Sequence, residues 1–190
     1  MIYARTDRLS NSYQSFVDNY CGGSKQIILS SLREYAELFR KTFQPDICDT
    51  TIPSTFGIER LNVVIFGLKT TTLIPYVLYL AKNISDTNAL NQMYGILESY
   101  VMRRIVTHAT SKNYNNLLSL IANEILDADD LRTRLQAASG TNSYIPTDTE
   151  LQDGFEHSKL MNLYSKGVLY LIESHIRPAQ SAVVLHGFNN

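Results

Sequence analysis

The chain has 190 residues, of which 44% are hydrophobic and 18% are charged, and its formal net charge is −1. This composition is that of a globular protein and excludes wholesale disorder. A charge so close to neutral also argues against a free-standing nucleic-acid-binding protein, unless a local basic patch neutralises phosphates. The length fits one domain, or two small helical lobes that share a core.

Cysteine usage and the apolar stretches indicate the compartment. The two cysteines, Cys21 and Cys48, lie in no CxxC motif, which favours reduced thiols over a disulfide scaffold. The N-terminus lacks the apolar segment of a signal peptide. The longest apolar stretch, residues 73–81, is far short of the roughly 20 residues that span a bilayer. We therefore predict a cytoplasmic protein with no membrane partner.

Helical periodicity dominates the chain, and we find no convincing alternating strand pattern. Apolar residues spaced by three and four predict amphipathic or apolar helices, bounded by glycine and proline signals. Thr147 and Glu150 have the spacing of a capping box and predict a further helix start. The other helices are predicted at about 8–20, 25–43, 55–68, 73–82, 86–107, 113–126, 129–138 and 161–176.

These elements predict an all-α fold, a bundle of roughly seven to nine helices with no sheet. The N-terminal helices occupy 1–43, and 44–57 is predicted to be a linker because it contains two prolines and polar filler. The main helical bundle follows at 58–178, and 179–190 is predicted to be a frayed tail. Together these segments form one domain.

Catalytic and metal-binding patterns are missing from the sequence. It contains no glycine-rich phosphate cradle, no nucleophile elbow and no zinc-ligand spacing. Asp153 and His157 share a helix face, which is typical of a solvated ion pair. The acidic run at 127–130 is interpreted as helix N-terminal charge rather than a divalent-cation site. We therefore predict no catalytic residue, no metal and no cofactor in this chain.

Two adjacent arginines stand out on the helix at 86–107. Arg104 falls inside the apolar stripe and Arg103 lies at its polar edge, and neither has a carboxylate three or four residues away. A buried arginine needs an anion, because an unpaired buried charge is costly. One interpretation is therefore an ion pair with an acid elsewhere, the candidates being Glu98, Glu34, Glu37 and Glu124.

The other interpretation is a phosphate contact. The downstream segment TSKNYNN supplies Lys112, Asn113 and Asn116, whose side chains donate the hydrogen bonds that phosphate oxygens accept. Together with Arg103 and Arg104 these are the candidate DNA-contact residues.

The segment at 90–121, LNQMYGILESYVMRRIVTHATSKNYNNLLSLI, resembles the central helical region of GmrSD-type restriction endonucleases. In that family a helix reading ESY…RR is followed by (S/T)KNYN. The segments at 30–43, 144–155 and 163–174 agree with the family in order. The resemblance touches most of residues 13–176, and its specific part is 98–116.

The resemblance implies a part of a two-ended defence enzyme that restricts modified phage DNA. Such enzymes carry an N-terminal ParB-like nucleotide-binding domain and a C-terminal His-Me finger nuclease, and the characteristic motif of neither occurs here. The run from His175 to Gln180 departs from the nuclease pattern by the inserted Ala179. The implied function is a non-enzymatic helical middle module whose partners are the neighbouring domains of a parent restriction protein, with DNA contacts. The alternative is a free-standing adaptor that binds a partner helix in an apolar groove.

Overall fold

Helices are the regular secondary structure of the part of the chain that the computed structural model describes, and that part contains no strand. The prediction of an all-α bundle without a sheet is thereby confirmed for those residues. The predicted helices at 8–20 and 113–126 lie largely outside them. The described residues are 17–19, 22, 24–109, 123–138, 144–157, 159–160, 162–177 and 185–189.

The α-helices are numbered here along the described chain. Short 3-10 helices at Pro45–Asp49 and Thr71–Leu73 connect them. The α-helices are α1 Lys25–Thr42, α2 Ile58–Asn62, α3 Ile74–Asn83, α4 Thr87–Val106, α5 Ala128–Ala137, α6 Asp148–His157 and α7 Asn162–Ile176.

Helix α4 is the longest of these and lies at the centre of the bundle. Its N-cap is Asp86, whose carboxylate accepts hydrogen bonds from the backbone N–H groups of Asn88 and Ala89 at 3.1 and 3.2 Å. Helix α4 packs against α2, α3, α5, α6 and α7. Its predicted apolar stripe faces the core, where the buried side chains include Met93, Tyr94, Leu97, Tyr100 and Val101.

The helix predicted at 55–68 is shorter than expected and changes geometry. Helix α2 begins at Ile58, and a π-helical turn at Val63–Gly67 continues it, with the N–H of Leu68 donating to the carbonyl of Val63 at 3.2 Å. Fully buried β-branched residues occupy this turn, and the hydroxyl of Thr70 donates to the carbonyl of Val64 at 2.7 Å. The turn is a single-turn π-bulge, and its buried side chains belong to the hydrophobic core.

Residues 185–189 of the predicted tail pack against the predicted linker, so this part of the tail is not frayed. Within 44–57, Cys48 and Ile52 are buried in the core. The N–H of Asn189 donates to the carbonyl of Cys48 at 2.8 Å. Phe188 is 3% exposed and packs edge-on against the ring of Tyr170, at 5.7 Å between centroids. Residues 185–189 are therefore docked by the Phe188 ring and by hydrogen bonds at both ends, since the hydroxyl of Thr51 donates to the carbonyl of Leu185 at 2.7 Å.

Helix α6 begins with the predicted capping box. The carboxylate of Glu150 accepts from the backbone N–H of Thr147 at 2.8 Å, and the N–H of Glu150 donates back to the Thr147 hydroxyl at 3.3 Å. The hydroxyl of Tyr144 donates to the same carboxylate at 2.9 Å. None of the described helices combines the length and apolar character needed to cross a membrane.

The capping box predicts a pH dependence of stability. Hydrogen bonds from Thr147, first its backbone N–H and then its hydroxyl, hold the pKa of Glu150 below its ordinary value. A lowered folded-state pKa stabilises the fold above the ordinary value, and this contribution is lost as the pH falls through the folded value. We expect Glu150→Gln to lower the urea midpoint at about pH 7 more than at about pH 3. Equal shifts at the two pH values would contradict this expectation, and Thr149→Ala is the control on the same turn.

Candidate functional site

A polar groove runs between α4, α5 and the start of α6. Its volume is about 960 Å³. Arg103 and Arg132 line the groove, and each is paired with an aspartate, Asp148 and Asp129 respectively, so these four charges balance. The side chains able to donate hydrogen bonds into it include Asn88, Asn91, Gln92, Arg103, Arg132 and Gln136.

The groove wall on α4 follows from helical spacing. Asn88, Asn91, Gly95, Ser99 and Arg103 succeed one another at three or four residues, so they share one face of the helix. The opposite face carries the buried apolar stripe, which turns this polar face towards the groove. Phe56 approaches the helix closely at Gly95, because a Cβ atom on Gly95 would lie 3.0 Å from Cγ of Phe56. The glycine therefore allows Phe56 to pack against α4 at the rim of the groove.

Arg103 connects α4 to the segment at the start of α6. Its guanidinium donates to the carbonyl of Pro146 at 2.9 Å and to the carboxylate of Asp148 at 2.6 Å. The side chain of Arg103 is 23% exposed, whereas that of Asp148 is 91% exposed. Arg103 thus shapes the groove, and each of its guanidinium nitrogens donates a hydrogen bond within the protein.

Arg104 is placed differently, although it is the next residue. It is 0% exposed, its guanidinium donates to the carbonyl of Tyr144 at 2.9 Å, and it lies 5.4 Å from the centre of the Tyr100 ring. Arg104 is therefore buried, as its place inside the apolar stripe predicts, and its role as an ion-pair or phosphate-contact residue stays a prediction. Two of the acids considered as its partners bind other cations: Glu98 pairs with Arg60 and Glu34 with Lys82.

The remaining sequence candidates are Lys112, Asn113 and Asn116. They lie outside the described residues, between the end of α4 and α5. Their role in DNA contact stays a prediction.

The buried ion pair of Arg60 and Glu98 was not predicted from the sequence. Nε of Arg60 donates to Oε2 of Glu98 at 3.0 Å, and Nη2 donates to Oε1 at 2.6 Å. The two side chains are 1% and 6% exposed. This bidentate geometry links α2 to α4 through two almost fully buried side chains. Arg60 lies in an apolar run and Glu98 follows Leu97 on α4, so each position could have been flagged as a charge at a buried site.

The same guanidinium also binds α7 and the segment before α2. Nη1 of Arg60 donates to Oγ of Ser174 at 2.8 Å and to the carbonyl of Pro53 at 3.2 Å, and Nη2 donates to the carbonyl of Leu171 at 2.9 Å. Phe56 lies above it, with 5.6 Å between Cζ and the ring centre. Arg60 therefore fixes the relative position of three helices directly beneath the groove rim.

An apolar pocket of about 240 Å³ adjoins the groove. Phe56, Ser99 and Arg103 line both, so they form the ridge between them. Apolar side chains from α4, α6 and α7 make up most of the pocket wall, namely Met102, Val106, Leu151, Phe155, Leu171 and Ile172.

The other titratable side chains noted in the sequence take part in an ion pair, a helix cap or the core. Nδ1 of His157 lies 3.1 Å from the Asp153 carboxylate, and both side chains are largely exposed. Asp127 caps α5 by accepting from the backbone N–H of Asp129 at 2.8 Å. Burial raises the pKa of the Cys48 thiol, with the charge of Asp49 adding to the effect. Among the described residues, no three histidine, cysteine or acidic side chains are placed to hold a metal ion.

Comparison of the chain with protein-family models, with curated proteins and with solved structures finds no match.

Proposed function

We propose that this chain is a helical module of a DNA restriction protein, which holds neighbouring domains in place and contacts DNA through the polar groove on α4 and α5. The observation that supports the DNA contact is the lining of the groove, in which arginine and amide side chains converge on one open volume. The resemblance at 90–121 supports the restriction protein as the setting.

The chemistry of the lining suits a nucleic acid. Asparagine and glutamine amides offer a donor and an acceptor in one plane, which matches adenine, and arginine matches guanine or phosphate. Arg132 is the more accessible arginine, with a side chain that is 53% exposed and an exposed partner, Asp129, at 2.9 Å. An exposed pair of this kind contributes little to stability and is readily exchanged for a phosphate. Arg132 is therefore the residue that we expect to carry the electrostatic contact.

The test compares two arginines of the same helix. Arg132 lines the groove, whereas Arg134 is exposed on α5 and does not line it. We expect the wild-type chain to bind a labelled DNA duplex at low salt in a fluorescence anisotropy titration. Arg132→Gln should weaken binding and reduce the slope of log affinity against log salt by about 1, because one phosphate contact is lost.

Arg134→Gln is the matched control and should leave the affinity and the slope unchanged. Equal losses of DNA affinity in the two variants would show a non-specific charge effect and contradict DNA binding in the groove. The assay also tests Lys112, Asn113 and Asn116, since Lys112→Ala should add to the loss in Arg132→Gln if the downstream segment contacts the same duplex.

A second candidate function is the free-standing helical adaptor. The exposed apolar residues of α1, with Leu32 60% exposed, favour it as a protein-binding module. The DNA titration separates the two functions, because an adaptor without a nucleic-acid role leaves the labelled duplex unbound at low salt.

A further inference from the structure

Helix α1 packs against the rest of the described protein along one edge. Ile28 and Thr42 are buried on that edge, and the carbonyl of Thr42 accepts from the Asn62 amide at 3.1 Å. Lys82 of α3 pairs with Glu34 at 3.1 Å, and its Nζ lies 4.4 Å from the centre of the Tyr35 ring. This edge of α1 is thus engaged with its neighbours.

A second apolar stripe of α1 faces outwards. Leu29, Leu32, Ala36 and Phe39 follow one another at spacings of three, four and three residues, which is the spacing of the heptad positions that meet a partner helix. Leu29 is 52%, Leu32 60% and Phe39 37% exposed, and Ala36 is exposed as well. A contiguous stripe of this kind marks an interaction surface, whereas scattered apolar residues do not. We name these four residues the α1 seam.

Two arginines border the α1 seam on its outer edge. Arg33 follows Leu32 and Arg40 follows Phe39, so both occupy the position that faces the flanking charges of a partner helix. Both are exposed, and neither forms an ion pair with a described residue. Two positive charges seven residues apart select a partner with acidic residues at the matching positions.

The same charges argue against a second copy of this chain as the occupant. In an antiparallel pair of α1 helices, Arg33 of one copy would lie opposite Arg40 of the other, and like charges repel. In a parallel pair, the arginines would lie opposite Ile28 and Tyr35, which carry no negative charge at neutral pH.

We propose that the α1 seam is the docking site for one amphipathic helix of another protein. The apolar stripe of that helix packs on the seam, and acidic residues beside the stripe pair with Arg33 and Arg40. The docking site lies on α1 and the groove on α4 and α5, so this inference does not rest on DNA binding.

The test uses the full chain and a labelled synthetic peptide of repeated heptads, with leucine at positions a and d and glutamate at e and g. Its glutamates repel those of its own copies, so it is available for binding. We expect saturable binding in a fluorescence anisotropy titration. Replacing every glutamate of the peptide by lysine should weaken binding roughly tenfold, and Leu32→Glu in the protein should weaken it by at least about as much. The double variant Arg33→Glu/Arg40→Glu should prefer the lysine peptide.

The control is Leu169→Glu on α7, where the replaced leucine is 66% exposed and distant in sequence from the seam. It should bind the glutamate peptide like the wild-type chain, and circular dichroism should show that Leu32→Glu remains folded. DNA binding by Leu32→Glu should be unchanged, so the two proposals fail separately. Equal affinity for both peptides, or binding that Leu32→Glu leaves intact, overturns the docking site. Self-association in sedimentation that Leu32→Glu abolishes also overturns it, because the occupant is then a second copy.

Discussion

Glu98→Gln is expected to lower the free energy of unfolding by about 3–5 kcal/mol, because it leaves the guanidinium of Arg60 buried without its counter-charge. Arg60 is 1% exposed, so water replaces the lost carboxylate poorly. Its remaining hydrogen bonds go to neutral oxygens of Ser174, Leu171 and Pro53, which do not balance a full positive charge. Because this guanidinium connects α2, α4 and α7, we expect the variant to loosen the groove rim as well.

A double-mutant cycle separates the cost of an unpaired charge from the contribution of the pair. Arg60→Met/Glu98→Met removes both charges and should be less destabilised than the sum of Arg60→Met and Glu98→Met. Urea denaturation followed by circular dichroism measures each free energy. The control is Glu173→Gln in the partly exposed pair with Arg177 on α7, for which we expect about 1 kcal/mol or less. A loss in Glu98→Gln no larger than in this control would contradict the role assigned to the buried pair.

Gly187→Ala is expected to release residues 185–189 and to cost about 2–3 kcal/mol, the contribution of burying a phenylalanine side chain. A Cβ atom at Gly187 would overlap the carbonyl carbon of Asp49 and lie 2.5 Å from the backbone nitrogen of Thr50. Backbone atoms of a packed segment cannot move away from the added methyl group, whereas the end of a long side chain can. Release of the segment would expose Phe188, which is 3% exposed in the folded protein.

Hydrogen exchange at Asn189 reports this release directly. Its N–H donates to the carbonyl of Cys48 at 2.8 Å and should be protected in the wild-type chain but not in Gly187→Ala. His186→Ala changes an exposed neighbour in the same segment and should stay within about 0.5 kcal/mol of the wild type. Retained protection of Asn189 in Gly187→Ala would show that the segment tolerates the added methyl group.

The elements that could be predicted from the sequence depend on interactions between residues close along the chain. Helix α4 has an aspartate cap and a long apolar stripe, and both signals lie within the helix itself. The start of α6 depends on Thr147 and Glu150, three residues apart. Such local signals indicate where a helix begins and which face it buries.

The features that escaped prediction depend on contacts between distant segments. The docking of 185–189 onto the predicted linker arises from the packing of Phe188 on Tyr170, and no local sequence pattern predicts this contact. The pairing of Arg60 with Glu98 likewise depends on how α2 crosses α4. Spacing can show that a charge lies on a buried face, but it cannot choose among the acids able to reach it.

The candidate site also combines features predicted from local spacing with features that depend on contacts between distant segments. The polar edge on which Arg103 lies was predicted from the helical wheel, and this edge forms one wall of the groove. The opposite wall comes from α5 and the segment at 145–148, so the groove itself required the tertiary structure. Arg104, adjacent in sequence, is buried because one helical step turns it towards the core.

The most direct test of the proposed DNA contact is the NMR titration of the side-chain amide groups with a DNA duplex at low salt. The proposal predicts that the NH₂ signals of Asn88, Asn91 and Gln136 in the groove shift together and saturate at one DNA concentration. The signals of Asn83 and Gln152, which do not line the groove, should stay in place. Shifts confined to amides outside the groove, or no shift at all, would contradict the proposal.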